Sequence, residues 1–472
     1  MEVGKILKHV YSVSNDLSLP AYVVGGFVRD ELLGRGVKKD IDIVVVGNGI
    51  EFAKAFDENM KQEGSLVEFA DFGTARYILP DGFEIEFASA RTESYRLTSR
   101  KPVVRPATIE EDLSRRDFTV NAMAREVKRG GKLGDIIDPF HGGEDVERNI
   151  LRTPLDPNET FSDDPLRMLR AARFAAQLHF SIEEATLTAM TANTERLKII
   201  SFERIQEEFF KLLRAPQPSV GLWILLRTGL MEQFLPEVCA LEGVEDMYGH
   251  SHKDNLSHTI QVVDNIAERS DNVLLRFAGL MHDIGKPGTK VFMHGRGWTF
   301  DMHEHLGRKM VREIGKRLKM SRANTEYVAK LVRWHMQPIN LMDEEVTDSA
   351  VRRLIVNLGD DLDALLILCR SDITTGNPQK KEHRLKNYDY LEQRIGEVRE
   401  IDKLRAFQSP VRGEEIMELC RLKPGPTIGK IKKAIEEAIL DGKIPNEYEA
   451  AREYFEQIKG EYLENVQNWE KK

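Results

Sequence analysis

The sequence predicts an α+β chain, with one small sheet-containing unit near the N-terminal end followed by a remainder built from helices. Three observations lead there. Short runs rich in β-branched and aromatic residues, separated by turn signals, fill residues 20–140. From Asp163 onward those runs stop, and apolar residues recur at helical spacing. The length of 472 residues, with 41% hydrophobic and 31% charged residues, is an ordinary globular balance spread over two to four units.

The β-rich runs are AYVVGG (21–26), IDIVVVG (41–47), LVEFA (66–70), ARYIL (75–79) and FEIEFA (83–88). Pro80-Asp81-Gly82 between the last two is a hairpin turn signal. Residues 50–63 have helical character, and the sheet unit is complete by about residue 145. DDPLRMLRAARFAAQ (163–177) reads as an amphipathic helix, and similar helices follow to about residue 235, with a break at Pro216 and Pro218. A histidine-rich helical unit covers roughly 245–375, and a charged helical tail runs to Lys472.

No run approaches 18 consecutive apolar residues, so no membrane span is expected. The opening MEVGKILKHVYSVSNDL lacks an apolar signal core, and Cys239, Cys369 and Cys420 stand singly, which fits a reducing, cytoplasmic setting. A net charge of −9 argues mildly against a nucleic-acid partner. A whole-chain sum hides local patches, however. Arg96, Arg100, Lys101, Arg105, Arg115, Arg116, Arg125 and Lys128 gather within one stretch.

The densest chemistry lies between Tyr22 and Asp42. A strand runs into Gly25-Gly26 and then into a helix start, FVRDELLG. Two glycines at a strand-to-helix turn let backbone N–H groups approach an anion, and the helix dipole adds to the attraction. Arg29, one turn in, can contact phosphate oxygens. Asp40 and Asp42 alternate along the next strand and so share a face. Two carboxylates beside a phosphate cradle suit two Mg²⁺ ions that activate an attacking 3′-hydroxyl and clamp a triphosphate. Glu84 and Glu86 share a face on a later strand, with Glu86 as the candidate third carboxylate.

GGFVRDELLG followed by DID resembles the head motif of the class II tRNA nucleotidyltransferase and bacterial poly(A) polymerase family, which belongs to the polymerase-β-like superfamily. Four further motifs agree in order: RRDFTVNAM (115–123), IDPFHGGEDVERNILR (137–152), DDPLRMLRAARF (163–174) and ERIQEE (203–208). The resemblance implies a small polymerase-β-like nucleotidyltransferase head (1–150), an all-α neck (151–240), an HD domain (241–377) and a helical tail that docks tRNA (378–472). It also implies that Arg116 and Asp117 contact triphosphate and ribose. The 163–174 segment resembles the base-reading element, with Asp163 where Glu is usual.

Asp164 and Arg167, three apart on the expected helix, would share a face. A carboxylate only accepts hydrogen bonds, and a guanidinium only donates. Cytosine and adenine each offer an amino donor beside a ring-nitrogen acceptor, which matches such a pair. Guanine and uracil present the reverse order. Arg170 and Arg173 continue the face toward base, ribose or phosphates. The expected reaction is addition of CMP and AMP from CTP and ATP to tRNA 3′ ends. Gly73-Thr74-Ala75 stands where bacterial poly(A) polymerases tend to carry a basic run, and TESYRLTSRKPVVRPATIEEDL (92–113) looks like the flexible loop that helps switch from C to A addition. An A-adding enzyme would keep that loop and stays an alternative, as does a poly(A) polymerase of the same family.

His258, His282-Asp283 and Asp372 spell the HD-domain signature, and His303 and His335 sit where binuclear versions place extra ligands. Imidazoles and carboxylates from separate helices would converge on a divalent metal of unspecified identity, with open positions for water and phosphate. A metal-dependent phosphohydrolase with a nucleotide-binding head is therefore the reading from a different class. In the tail, the Pro-Gly-Pro run before Lys430, Lys432 and Lys433 could offer backbone N–H groups to tRNA phosphates, or simply open a packed helix.

Overall fold

The structure, a computed structural model, describes residues 3–36, 40–70, 73–96, 99–243, 246–247, 250–251, 254–342, 347–402, 409–464, 466 and 468–471. The chain separates into two compact units. One comprises residues up to 240 together with 316–320, and the other comprises 241–315 and 321–472.

The first unit begins with α1 (Val3–Leu17), β1 (Ala21–Val24), α2 (Gly26–Leu32), β2 (Asp40–Val45), α3 (Gly49–Asn59), β3 (Ser65–Phe69), β4 (Thr74–Ile78) and β5 (Glu84–Ser89). Then come β6 (Arg91–Arg96), β7 (Ser99–Pro106), α4 (Ile109–Ser114), β8 (Ala124–Lys128), β9 (Lys132–Ile137) and α5 (Gly142–Arg148). Seven strands form one sheet in the order β3-β4-β5-β2-β1-β8-β9. Only the β2–β5 pair in it is parallel; its other neighbours are antiparallel.

Both faces of β2 are used. Ile41, Ile43 and Val45 are buried on one side, where Phe52 and Phe56 of α3 pack, with Phe56 5.0 Å from Phe87 of β5 and 5.3 Å from Tyr77 of β4. On the other side Val44 enters a second cluster with Val24, Ala90, Ile109, Leu113, Ala122 and Ala124. Asp40 and Asp42 occupy that second face before the cluster begins, and both are exposed. Strand alternation thus carries one face from solvent into core within four residues.

Two parts of this unit escape the sequence reading. β8 and β9 extend the sheet beyond β1, although AREVK and KLGDII lack a continuous apolar run. The segment expected as a flexible loop instead pairs β6 with β7 as an antiparallel hairpin, leading into α4. That hairpin stands outside the seven-stranded sheet. The side chains of Arg96, Arg100 and Lys101 lie outside the described residues.

Next come α6 (Pro157–Asp163), α7 (Leu166–Leu178), α8 (Glu184–Ala192), α9 (Phe202–Leu213), α10 (Pro218–Arg227) and α11 (Pro236–Cys239). α7 buries Met168, Leu169, Ala171, Ala172, Ala175 and Ala176. It starts three residues later than the sequence pattern implies. Pro165 disfavours helical backbone in the residue before it, and Asp164 is extended at φ −133°, ψ 97°. Asp164 and Arg167 therefore do not share one helix. Asp164 sits in the joint between α6 and α7.

The second unit holds α12 (Asn255–Ala267), α13 (Val273–Met281), α14 (Lys286–Thr289), α15 (His303–Arg317), α16 (Arg322–Trp334), α17 (Asp348–Leu358) and α18 (Leu362–Ser371). It continues with α19 (Pro378–Asp402), α20 (Gly413–Cys420), α21 (Pro426–Leu440) and α22 (Tyr448–Leu463). Ile416, Ile431, Ile435, Ala451 and Phe455 give the last three helices a core of their own. The buried Glu470 carboxylate accepts from Thr427 N–H at 3.0 Å and Thr427 Oγ1 at 2.9 Å at the start of α21. A Cβ on Gly425 would lie 2.2 Å from Glu470 Oε1. Of the two readings of this helix start, the Glu470 contact supports the packed helix, because the chain's own carboxylate already meets the Thr427 N–H.

Candidate functional site

In the first unit the site grows from the β2–β5 register, which sets Asp40 opposite Glu84 and Asp42 opposite Glu86. Asp42 is open to solvent on one side and walled by protein on the others. Burial, the Glu86 charge and the Asp40 charge raise its pKa to about 6, against the pull of Arg116 and Arg170. Glu86 is not idle: Arg76 reaches it at 3.5 Å and Glu84 at 3.2 Å. Among the described residues, neither Asp40 nor Asp42 pairs with a cation in this way. A carboxyl whose pKa is raised by burial and by neighbouring carboxylates is one that a divalent cation relieves, so these residues fit a metal.

Above them, Gly25 turns the chain from β1 into α2 at φ 69°, ψ −127°, a conformation suited to glycine. Its N–H donates to Met123 O at 3.1 Å. A Cβ on Gly25 would come within 3.1 Å of Arg116 Nη1, 3.7 Å of Asn121 O and 4.0 Å of Asp42 Oδ2. A side chain here would crowd the Arg116 guanidinium and come against the Asp42 carboxylate. Arg116 donates through Nη2 to buried Asp112 at 3.2 Å, while its Nε is buried with no hydrogen-bond partner among the described residues. Gly26 opens α2, and Arg29 Nη2 would stand 3.4 Å from a Cβ there.

The remaining residues of the site form a lattice of buried ion pairs. Arg29 is 3% exposed and points inward. Its Nε donates to Asp30 at 2.9 Å and its Nη1 to Asn121 Oδ1 at 2.7 Å. The structure thus places Arg29 beneath the cradle, where it braces Asn121. Asp117 accepts from Phe118 N–H at 2.9 Å, Asn121 Nδ2 at 3.1 Å and Arg170 Nε at 2.8 Å. Burial alone would raise the Asp117 pKa, but Arg170 and Asn121 outweigh it and hold the group down at about 2. Arg173 donates to Glu208 at 2.8 Å, and its guanidinium lies 4.0 Å from the Phe174 ring centre. Asp164 accepts from Leu166 N–H at 3.2 Å and from Arg204 Nη2 at 3.1 Å. Arg167 donates to the carbonyls of Arg115 at 2.6 Å and Thr160 at 3.4 Å.

Contributors whose roles were not foreseen from the sequence include Asp30, Arg76, Asp112, Asn121, Arg204 and Glu208. Asn121 and Asp112 lie in or beside the RRDFTVNAM run, so a local signal existed. Arg204 lies 40 residues from Asp164, and no local pattern links them.

In the second unit, His258, His282 and Asp372 offer ligand atoms within 4.8 Å of one another, as do Asp283, His303 and His335. Asp283 joins the two groups. Its Oδ2 is 3.2 Å from His282 Nε2, while its Oδ1 is 3.5 Å from His303 Nε2 and 3.8 Å from His335 Nε2. Three histidines are anchored alike through Nδ1, each to the carbonyl three residues earlier: His282 to Gly279 and His335 to Val332 at 2.7 Å, and His303 to Phe300 at 2.8 Å. A carbonyl only accepts, so Nδ1 carries the proton and Nε2 faces the centre.

Charge is strongly unbalanced there. Burial pushes His335 down to about 3, with His282 adding to the effect. His282 is instead raised to about 10, because Asp283 and Asp372 outweigh its burial. His282 Nε2 is buried without a well-aligned hydrogen-bond partner. An orphaned nitrogen among carboxylates and neutral imidazoles is a donor set that fits divalent metal. All six histidines and aspartates named from the sequence are brought together.

Comparison with known proteins follows the same division. Residues 21–152 match the family model for the poly A polymerase head domain, 179–241 that for the probable RNA- and SrmB-binding site of polymerase A, and 255–365 that for the HD domain. The chain is 32% identical over 355 residues to the A-adding tRNA nucleotidyltransferase of Deinococcus radiodurans, covering 73% of this chain and 78% of that one. It is 36% identical over 327 residues to the multifunctional CCA protein of Neisseria meningitidis serogroup B, covering 67% and 73%. In fold it is similar to the CCA-adding enzyme of Bacillus stearothermophilus, with a TM-score of 0.66 at 22% identity over 99% of this chain and 100% of the other. No helix among the described residues is long and apolar enough to cross a membrane. The chain belongs to the tRNA nucleotidyltransferase family of enzymes, in the branch that joins a poly A polymerase head domain to an HD domain.

Proposed function

We propose that this enzyme, acting in the cytoplasm, adds CMP and AMP to tRNA 3′ ends, building or repairing the terminal CCA from CTP and ATP. The observation that carries this reading is the Gly25 turn, where a Cβ would come within 3.1 Å of Arg116 Nη1 and 4.0 Å of Asp42 Oδ2, so that backbone, guanidinium and carboxylate converge on one spot. A triphosphate would lie against that spot, its charge met by Arg116 and the α2 start and its α-phosphate turned to the carboxylates. Asp40 and Asp42 would hold Mg²⁺, with Glu86 flanking. Bound there, the ions would supply a more acidic 3′-hydroxyl and a neutralised triphosphate. The bond formed joins the tRNA 3′-oxygen to the α-phosphorus, and the bond broken releases pyrophosphate. Asp117 would meet the ribose, held in place by Arg170. Four segments would carry this work: a catalytic head (1–150), a base-reading neck (151–240), an HD domain (241–377) and a tRNA-docking tail (378–472).

Base choice would rest on Asp164 and Arg167. Each already makes hydrogen bonds, yet a carboxylate offers roughly four acceptor sites and a guanidinium five N–H donors. Both keep capacity for a base edge. The similarity to an A-adding enzyme supports a second reading, in which only the terminal AMP is added. Sequencing tRNA ends after incubation with each single NTP separates the two. Addition of C to tRNA lacking CCA supports the first, and addition of A alone to tRNA ending in CC supports the second. Addition of neither removes both. In the same assay Asp164→Ala should lower the CTP-to-UTP preference by about tenfold or more, since one hydrogen bond to a charged group contributes about 1.5–3 kcal/mol. An unchanged preference would leave Asp164 a structural joint.

The HD residues support a second activity, metal-dependent hydrolysis of phosphate esters. Asp283 touches both ligand groups, so Asp283→Ala should lose both bound ions, counted by dialysis and metal analysis. It should also lose hydrolysis of phosphomonoesters and cyclic phosphodiesters assayed with Mg²⁺, Mn²⁺, Ni²⁺ and Co²⁺. CCA addition should persist. Absence of hydrolysis by the unaltered enzyme with every metal would leave the domain a packing and docking element.

A further inference from the structure

His258 is the exception among the four histidines. It has no carbonyl three residues earlier as its partner. Its Nδ1 lies 2.7 Å from Thr374 Oγ1, a residue 116 positions away. Thr374 belongs to the segment between α18 and α19, two residues after Asp372. Asp372 Oδ1 meets the other ring nitrogen, Nε2, at 2.8 Å. One short segment therefore grips the imidazole at both edges.

We infer that Thr374 is a positioning residue for the first ligand group, His258–His282–Asp372, and that it leaves the second group, Asp283–His303–His335, untouched. The inference rests on the reading of these six residues as metal ligands. Three physical points carry it. First, the ring orientation of His282, His303 and His335 is built into their own helix ends and turns, so it survives changes elsewhere. The orientation of His258 instead depends on a distant hydroxyl. Second, a hydroxyl both donates and accepts, so Thr374 stays bonded to Nδ1 whichever ring nitrogen carries the proton. Nε2 can thus serve as donor to Asp372 or present its lone pair to an ion without movement of the backbone. Third, Asn265 of α12 donates to Ser371 O at 2.7 Å, tying the helix of His258 to the end of α18. Thr374 completes that attachment at the ligand itself.

Partners that hold a metal-ligating histidine through its other nitrogen typically change metal affinity by about 10–100-fold when removed. The test is a Co²⁺ titration of the full-length, metal-stripped protein, followed by visible absorption so that the two groups are resolved, with His335→Ala marking the second. Thr374→Val, which keeps the shape and removes the hydroxyl, should weaken Co²⁺ at the first group by about 10–100-fold and leave the second at its original affinity. Thr374→Ser should restore the first. Equal affinity of Thr374→Val and the unaltered protein at the first group would overturn the inference. So would failure of Thr374→Ser to restore binding in a folded protein, or equal loss at both groups. An unaltered protein that binds no Co²⁺ at either group would overturn the ligand reading itself.

Discussion

Parallel pairing of β2 with β5 sets two carboxylates beside two others, Asp40 against Glu84 and Asp42 against Glu86. Like charges at neighbouring sheet positions repel, and burial together with the Glu86 and Asp40 charges raises the Asp42 pKa to about 6. The surrounding fold bears this cost in two ways. Arg76 neutralises the β5 pair, and Arg116 and Arg170 lend positive charge toward Asp42. The residual negative charge stays on β2, next to the Gly25 turn. A divalent cation bound there would relieve the repulsion.

The rest of the first unit can be read as support for that arrangement. Asp112 holds Arg115 and Arg116. Asn121 bridges Arg29 and Asp117, and Asp117 fixes Arg170. Asp112, Asp117, Asn121 and Arg29 are buried, Arg115, Arg116 and Arg170 are half-buried, and each has a hydrogen-bonded partner. Breaking such a pair by removing one member is far costlier than the pair is stabilising. The lattice therefore gives a fixed geometry more than it gives stability. The HD site reaches fixed geometry differently, through three imidazoles anchored to their own local backbone and one held by a distant hydroxyl.

How much of this was legible in the sequence depends on the range of the interaction. The β1–α2 turn, the shared face of Asp40 and Asp42, and the hairpin at Gly82 follow from alternation and turn chemistry, which act over a few residues. The HD ligands were legible because their spacing matches a known motif. The break at Asp164 was also legible, since Pro165 forbids what the helical pattern of 163–177 implies, but the apolar periodicity masked it. Arg204 on Asp164 and Thr374 on His258 were not legible. Both are contacts across 40 or more residues, set by how helices meet. The capping of α21 by Glu470 spans 43 residues and was hidden for the same reason.

The central claim is that the Asp42 carboxylate, beside the Gly25 turn, is needed for the chemical step and not for holding tRNA. Single-turnover incorporation of CMP into a tRNA lacking CCA, measured beside tRNA affinity, tests it directly. In Asp42→Ala, incorporation should fall to background, while tRNA affinity should stay within about twofold, because phosphate contacts spread over the protein dominate RNA affinity. Incorporation at the unaltered rate in Asp42→Ala, with tRNA bound equally well, would contradict the account.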